Sequence, residues 1–274
     1  MSTAPDPTAR LRPGDDTAAG YLAAPPPPPG DTRLPLLCFH HAGGGASAFA
    51  RWQEHAPGAA VLPVQLPGRE QRAGEPRFRD AVELAATLDR QLGAVLDRPH
   101  AIYGHSMGAV VAYDLVTRRA RRGARQPEAL VVGAYPGPHL PAVLTESRHL
   151  PDAEFARRLV AIGGMSELLL RYPDWMRAAV DLVRDDLEIC AYDRRAATAA
   201  ALTCPVHAFC GDADPLVRPE AADTWRRHTT GDFRLHVVPG GHFFPRDDEP
   251  GFVRRLARVL AAHKGGFSGR QAPR

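Results

Sequence analysis

Gly104-His105-Ser106-Met107-Gly108 sets a serine between two glycines, each two residues away. This spacing fits a nucleophile elbow, a sharp strand-to-helix turn that lifts a hydroxyl clear of the backbone. A hydroxyl is a weak nucleophile at neutral pH and needs a base. An imidazole, with an ordinary pKa near ~6.5, suits that task at pH 7. His242 is the candidate, in the glycine-hinged segment Pro239-Gly240-Gly241-His242-Phe243-Phe244. The imidazole in turn needs a carboxylate to fix its tautomer and stabilise its charged form. Gly211-Asp212-Ala213-Asp214-Pro215-Leu216-Val217 offers two, Asp212 and Asp214. The G-x-x-D-P-x-V frame favours Asp214, with Pro215 stiffening the turn behind it. Asp212 reads as a solvent-facing or turn-capping residue.

An oxyanion formed by such a serine needs two N–H donors. The amide after the nucleophile, Met107, is one candidate. His40-His41-Ala42-Gly43-Gly44-Gly45-Ala46-Ser47 supplies the other at Ala42, because glycines directly after a strand let backbone amides approach a ligand. A phosphate loop is the competing reading. It lacks both the G-x-x-x-x-G-K-[ST] lysine and the G-x-G-x-x-G spacing. The other histidines read as structural. His105 occupies a variable elbow position, His41 orders its glycine loop, and His207 and His236 fall in strands.

The elements that must carry these residues alternate. Short apolar runs at 34–39, 59–64, 100–104, 129–134, 205–210 and 233–238 read as buried strands. Helical periodicity falls at 80–96, with Val82, Ala85, Leu88, Leu92, Val95 and Leu96 on the apolar face. It recurs after the elbow and at 218–228 and 249–262. Ser47 reads as the cap of a helix carrying Phe49 and Trp52. This alternation predicts an α/β fold with a mostly parallel sheet and helices on both faces. Serine, acid and histidine come in that order, each just past a strand, which is the α/β-hydrolase order. After residue 137 the alternation breaks. Helical segments at 152–162, 166–171 and 174–192 predict an inserted helical lid over about 138–195, with Gly163 and Gly164 as flexible points.

The domain is expected at 34–263. Residues 1–33, ending in Pro25 to Pro29, read as a disordered proline-rich tail, and 264–274 as a basic disordered tail. The 274 residues are 44% hydrophobic with a net charge of +3, so a core is available and nothing demands nucleic acid. No apolar run approaches the ~18 residues of a membrane span, and the first residues lack a signal-peptide core. Cys38, Cys190, Cys204 and Cys210 form no C-x-x-C pair and read as buried thiols in a reducing compartment. A cytoplasmic monomer without cofactor or metal is expected.

Five ordered motifs resemble the type II thioesterases, the stand-alone editing enzymes of polyketide and non-ribosomal peptide assembly lines. They are residues 38–47, Leu66-Pro67-Gly68-Arg69, 104–109, 211–217 and 239–244. The resemblance spans roughly residues 34 to 262. It implies an α/β-hydrolase fold and hydrolysis of acyl groups from the phosphopantetheine arm of acyl or peptidyl carrier proteins. It also implies Ser106, Asp214 and His242 as the triad, with Ala42 and Met107 as oxyanion donors. Two positions depart from the pattern: His40, where proline is usual, and Tyr135-Pro136-Gly137, where a Ser-Gly-Arg-like segment is common. The residues also allow a carboxylesterase, a serine acyltransferase, or a non-catalytic partner of a synthase.

Overall fold

The computed structural model describes residues 20–194 and 202–263. Six strands form one sheet: β1 (Leu34–Phe39), β2 (Ala59–Pro63), β3 (Ala101–His105), β4 (Ala129–Gly133), β5 (Val206–Gly211) and β6 (Phe233–Val238). Their spatial order is β2-β1-β3-β4-β5-β6 and every neighbouring pair is parallel. Eight helices accompany them among the described residues: α1 (Ala81–Gln91), α2 (Gly93–Leu96), α3 (Met107–Arg121), α4 (Asp152–Ala161), α5 (Pro173–Ala191), α6 (Pro219–Asp223), α7 (Phe244–Asp247) and α8 (Glu249–His263). This is the α/β-hydrolase arrangement expected from the sequence. No described helix is long and apolar enough to cross a membrane.

Strand alternation divides the core in two. Leu37, Phe39, Ile102, Leu130 and Val132 face the layer built by α1, α3, α4 and α5. Leu36, Cys38, Tyr103 and Val131 face the opposite layer, with Phe49, Trp52 and the α8 residues Phe252, Leu256 and Leu260. Both strand faces are apolar because both are covered. All four cysteines are buried free thiols.

Three local expectations differ from the fold. Residues 20–33 are not all a disordered tail. Leu22 bridges Val64 in antiparallel sense, the Ala23 N–H donates to the Pro63 carbonyl at 2.9 Å, and the Gln65 N–H donates to the Tyr21 carbonyl at 2.9 Å. Tyr21 and Leu22 are buried there. The physical reason is the free edge of β2, whose unpaired backbone groups are covered by this segment. Residues 1–19 and the expected tail at 264–274 lie outside the described residues. The helix over 80–96 divides at Leu92, and Val82 faces solvent at 52% exposure while Leu84 takes its place in the core. Asp80 caps α1 by accepting the N–H groups of Val82 and Glu83 at 2.7 and 2.9 Å. Ser47 caps no helix. It lies inside a 3-10 turn, Ala46–Phe49, and bonds Glu70 instead.

Between β4 and β5 the chain leaves the sheet for α4, a 3-10 turn at Glu167–Arg171, and α5. Charged pairs fix α5 to the body. Arg77 meets Asp185 at 2.8 Å, and Arg194 meets Asp114 of α3 at 2.6 Å. Arg184 of α5 reaches Asp152 of α4 at 2.6 Å.

The elbow depends on backbone closeness. A Cβ on Gly104 would sit 2.2 Å from the Gly108 carbonyl oxygen, and one on Gly108 would sit 2.2 Å from the Phe39 carbonyl oxygen. Alanine at Gly108 gains helix propensity of about 1 kcal/mol. The clash is with backbone, which cannot step aside, so it costs more, about 3 kcal/mol. The net loss of about 2 kcal/mol is therefore expected to lower the Tm of Gly108→Ala by roughly 4–8 °C for a domain of this size. An unchanged Tm in a calorimetric scan contradicts this account of the elbow.

Candidate active site

Ser106 joins β3 to α3 with φ 53° and ψ −119°, backbone that L-residues rarely adopt. Its own N–H donates to the Gly133 carbonyl of β4 at 2.7 Å. The turn is thus anchored on the sheet while the side chain stands free of it. His242 enters from the loop after β6, and its Nε2 lies 3.0 Å from Ser106 Oγ. Asp214 enters from the loop after β5, and its Oδ2 lies 2.9 Å from His242 Nδ1. The Asp214 side chain is fully buried. Its second oxygen accepts the N–H groups of Leu216 and Val217 at 2.8 and 3.2 Å.

The structure separates the two candidate acids. Asp212 is exposed, and its Oδ1 accepts the Gly240 N–H at 3.0 Å. It braces the hinge ahead of His242 and does not bond the imidazole. Asp214 is the carboxylate that does.

Ala42 follows β1 in a turn, and Met107 opens α3. A first-turn helix amide has no intrahelical acceptor. Among the described residues, neither amide donates a hydrogen bond to another protein group. Gly43, next to Ala42, has φ +76°, and a Cβ there would lie 2.6 Å from Val183 of α5. Its N–H donates to Asp186 Oδ2 at 2.8 Å.

His105 does more than fill a variable elbow position. Its Nε2 lies 2.9 Å from the His242 carbonyl oxygen, which can only accept, so Nε2 carries the proton. Nδ1 then accepts the Tyr103 hydroxyl at 2.8 Å. Burial, then the charge of a protonated His242, pushes the His105 pKa down to about 3. His105 is a neutral pin on the backbone of the base. His41 is likewise held neutral, chiefly by burial, and its Nε2 accepts from Arg246 at 2.9 Å. Arg246 also donates to the Gly163 carbonyl at 3.1 Å and lies 4.3 Å over the Phe243 ring. It therefore connects the segment after α4 to the glycine loop. His207 and His236, expected as face residues of their strands, bond each other at 3.1 Å on β5 and β6.

The arrangement suits nucleophilic acyl transfer. A hydroxyl on a strained turn contacts an imidazole, and the imidazole contacts a buried carboxylate. Past the expected tail, two features escaped the sequence: His105 as a pin, and the Arg69–Asp186 pair behind Gly43. The His105 signal was its place two residues beyond Tyr103 on one strand, which sets both on one face. Asp186 gave none, because one acid among many on a helix is ordinary.

The family model for the thioesterase domain matches residues 34–260. Thioesterase PikA5 of Streptomyces venezuelae is 34% identical over 79% of this chain and 77% of its own length. The linear gramicidin dehydrogenase LgrE of Brevibacillus parabrevis is 30% identical over 87% of this chain and 92% of its own. Among solved structures, the type II thioesterase BorB from the borrelidin biosynthetic cluster is 34% identical with a TM-score of 0.74, covering 87% of this chain and 95% of that one. The fold and these matches define a serine hydrolase acting on thioesters. The chain belongs to the thioesterase domain family.

Burial also sets a pH dependence of stability. His40 and His100 are pushed down to about 4, chiefly by burial, and His105 to about 3. Unfolded, each has a pKa near ~6.5. Between those values the unfolded chain binds protons that the fold refuses, so stability falls as pH drops. The Tm is expected to hold above about pH 6.5 and to decline steadily from there to pH 4. A flat Tm across that window overturns the neutral assignment of these rings.

Proposed function

We propose that this chain is a type II thioesterase of polyketide or non-ribosomal peptide biosynthesis. It removes aberrant or stalled acyl groups from the phosphopantetheine arm of acyl or peptidyl carrier proteins. The observation that carries the reading is the unbroken line from Asp214 through His242 to Ser106, at 2.9 and 3.0 Å. The likeness to a type II thioesterase from the borrelidin biosynthetic cluster supports the pathway. The dehydrogenase name of one relative is not carried over, because the glycines after β1 lead into a four-residue 3-10 turn, Ala46–Phe49, and not into the long helix that a dinucleotide-binding loop opens.

The chemistry runs in two halves. Ser106 Oγ attacks the thioester carbonyl carbon while His242 Nε2 takes its proton. The carbonyl oxygen gains charge and is held by the N–H groups of Ala42 and Met107. The C–S bond then breaks, the acyl group stays on Ser106, and His242 returns the proton to sulfur. A thiol leaving group, with a parent pKa near ~8.5, needs little acid assistance. Water repeats the attack on the acyl-serine with His242 taking its proton, the bond from the acyl carbon to Ser106 Oγ breaks, and His242 returns the proton to Oγ as the acid product departs. Asp214 accepts the Nδ1–H of His242 and holds that tautomer throughout. Each oxyanion donor is worth about 10²–10³ in turnover.

The helical insertion is read as a lid over this site. Arg157, Arg158 and Arg171 are exposed on it and suit attraction of an acidic carrier, which acts on association rate more than on affinity.

Intact-protein mass spectrometry of acylated carriers before and after incubation tests the substrate. Loss of the acyl mass with the phosphopantetheine retained is expected. Rapid turnover of a nitrophenyl ester with no loss from any carrier makes the chain a general esterase instead. Asp214→Asn is expected to lower turnover about 10⁴-fold through the wrong tautomer. Asp212→Asn is expected to keep most activity, because asparagine retains an oxygen for the Gly240 N–H. The reverse ranking removes Asp214 from the mechanism.

A further inference from the structure

Behind the oxyanion loop lies a charged pair that the hydrolytic chemistry does not use. Asp186 projects from α5, and its side chain is fully buried. Arg69, from the loop after β2, is 4% exposed at its side chain and forms a two-pronged bond with it, at 2.7 and 2.8 Å. An ion pair with no access to water carries a desolvation cost, and an apolar pair of the same volume is often as stable or more so. Stability alone gives little reason to keep it. Its geometry gives another. Asp186 Oδ2 also accepts the Gly43 N–H at 2.8 Å, and Arg69 donates to the Gly44 carbonyl at 3.3 Å. The pair therefore holds the two outer ends of the Gly43-Gly44 dipeptide, the N–H of the Ala42–Gly43 link and the C=O of the Gly44–Gly45 link. It does so one residue past Ala42.

We propose that Asp186 is a positioning residue that sets the oxyanion loop, with Arg69 holding its carboxylate in place. The inference rests on the reading of Ala42 as an oxyanion donor. Gly43 occupies a left-handed conformation with Val183 of the same helix pressed against it. A loop of consecutive glycines has little stiffness of its own. Fixing the Gly43 N–H fixes the peptide plane beside Ala42 and hence the aim of the Ala42 N–H. A carboxylate is suited to this because one oxygen can serve Gly43 and Arg69 together while the other serves Arg69 alone. The consequence is a mechanical link. The oxyanion donor on one side of the site and helix α5 of the insertion are joined by a single side chain. Displacement of α5 releases the donor, so the site is complete only when α5 is seated.

Turnover of an acyl thioester per active site, counted by exhaustive labelling with a fluorophosphonate, separates positioning from folding. Asp186→Leu, which leaves no oxygen for the Gly43 N–H, is expected to lower kcat per labelled site about 10- to 100-fold, the scale of a misplaced rather than deleted donor. KM is expected to change little. The double variant Arg69→Met with Asp186→Leu removes both buried charges. Its Tm is expected to recover toward that of the parent, while kcat per site stays low because Gly43 still lacks its acceptor. Affinity for a trifluoromethyl ketone, whose adduct fills the oxyanion hole, is expected to fall in step with kcat/KM. Asp186→Leu with kcat per site within twofold of the parent overturns the proposal, as does recovery of kcat along with Tm in the double variant. Ser106→Ala is the control on the underlying reading. Persistent turnover in that variant condemns the site itself, whereas an inactive Ser106→Ala beside a normal Asp186→Leu condemns only the positioning role.

Discussion

The structure depends on how closely helix α3 approaches strands β1 and β3. Gly104 and Gly108 leave no room for a methyl group against the opposing backbone. That closeness holds Ser106 at a positive φ, a conformation that costs on the order of 1–3 kcal/mol at a non-glycine residue. The Gly133 carbonyl takes the Ser106 amide and keeps the turn in place. The hydrogen-bonded line from Ser106 through His242 to Asp214 is arranged relative to this point. β5 and β6 lie beyond β4 in the sheet, and the loops at their ends carry acid and base back toward the serine. The parallel sheet matters here because it puts all of these loops at one edge.

A second constraint is the dryness of the site's surroundings. His41 and His105 are buried and held neutral, which spares the site extra positive charge beside His242. A neutral His105 can use both nitrogens, one accepting from Tyr103 and one donating to the His242 carbonyl. His242 is thereby fixed at its backbone by His105 and at its ring by Asp214. The insertion joins the same network. Arg246 reaches from α7 to both Gly163 and His41, and Asp186 reaches from α5 to Gly43. Glycine loops supply the amides, and charged side chains from elsewhere supply the stiffness those loops lack.

Much of this was legible in the sequence. Six apolar runs gave six strands, because buried parallel strands are apolar on both faces. Gly104 to Gly108, the post-β1 glycines and His242 were visible because tight turns restrict residue type. The G-x-x-D-P-x-V frame favoured Asp214 over Asp212, and it is Asp214 that bonds the His242 ring. What the sequence hid was tertiary. Val82 and Leu84 both suit a helix, and only packing shows that Leu84 faces the core. Tyr21 and Leu22 sit in a polar, proline-rich context, and their burial follows from the open edge of β2. Asp186 lies 117 residues from Arg69 and 143 from Gly43. No local pattern reports a contact of that range.

The central claim is that Ser106 carries the acyl group between its removal from sulfur and its release to water. Rapid-quench mixing with an acyl thioester, followed by peptide mass spectrometry, tests it directly. The account predicts the acyl mass on the peptide containing Ser106 within the first turnover, disappearing as free acid forms. Free acid formed with the acyl mass on another residue, or on none under conditions where chemistry outpaces release, would contradict it.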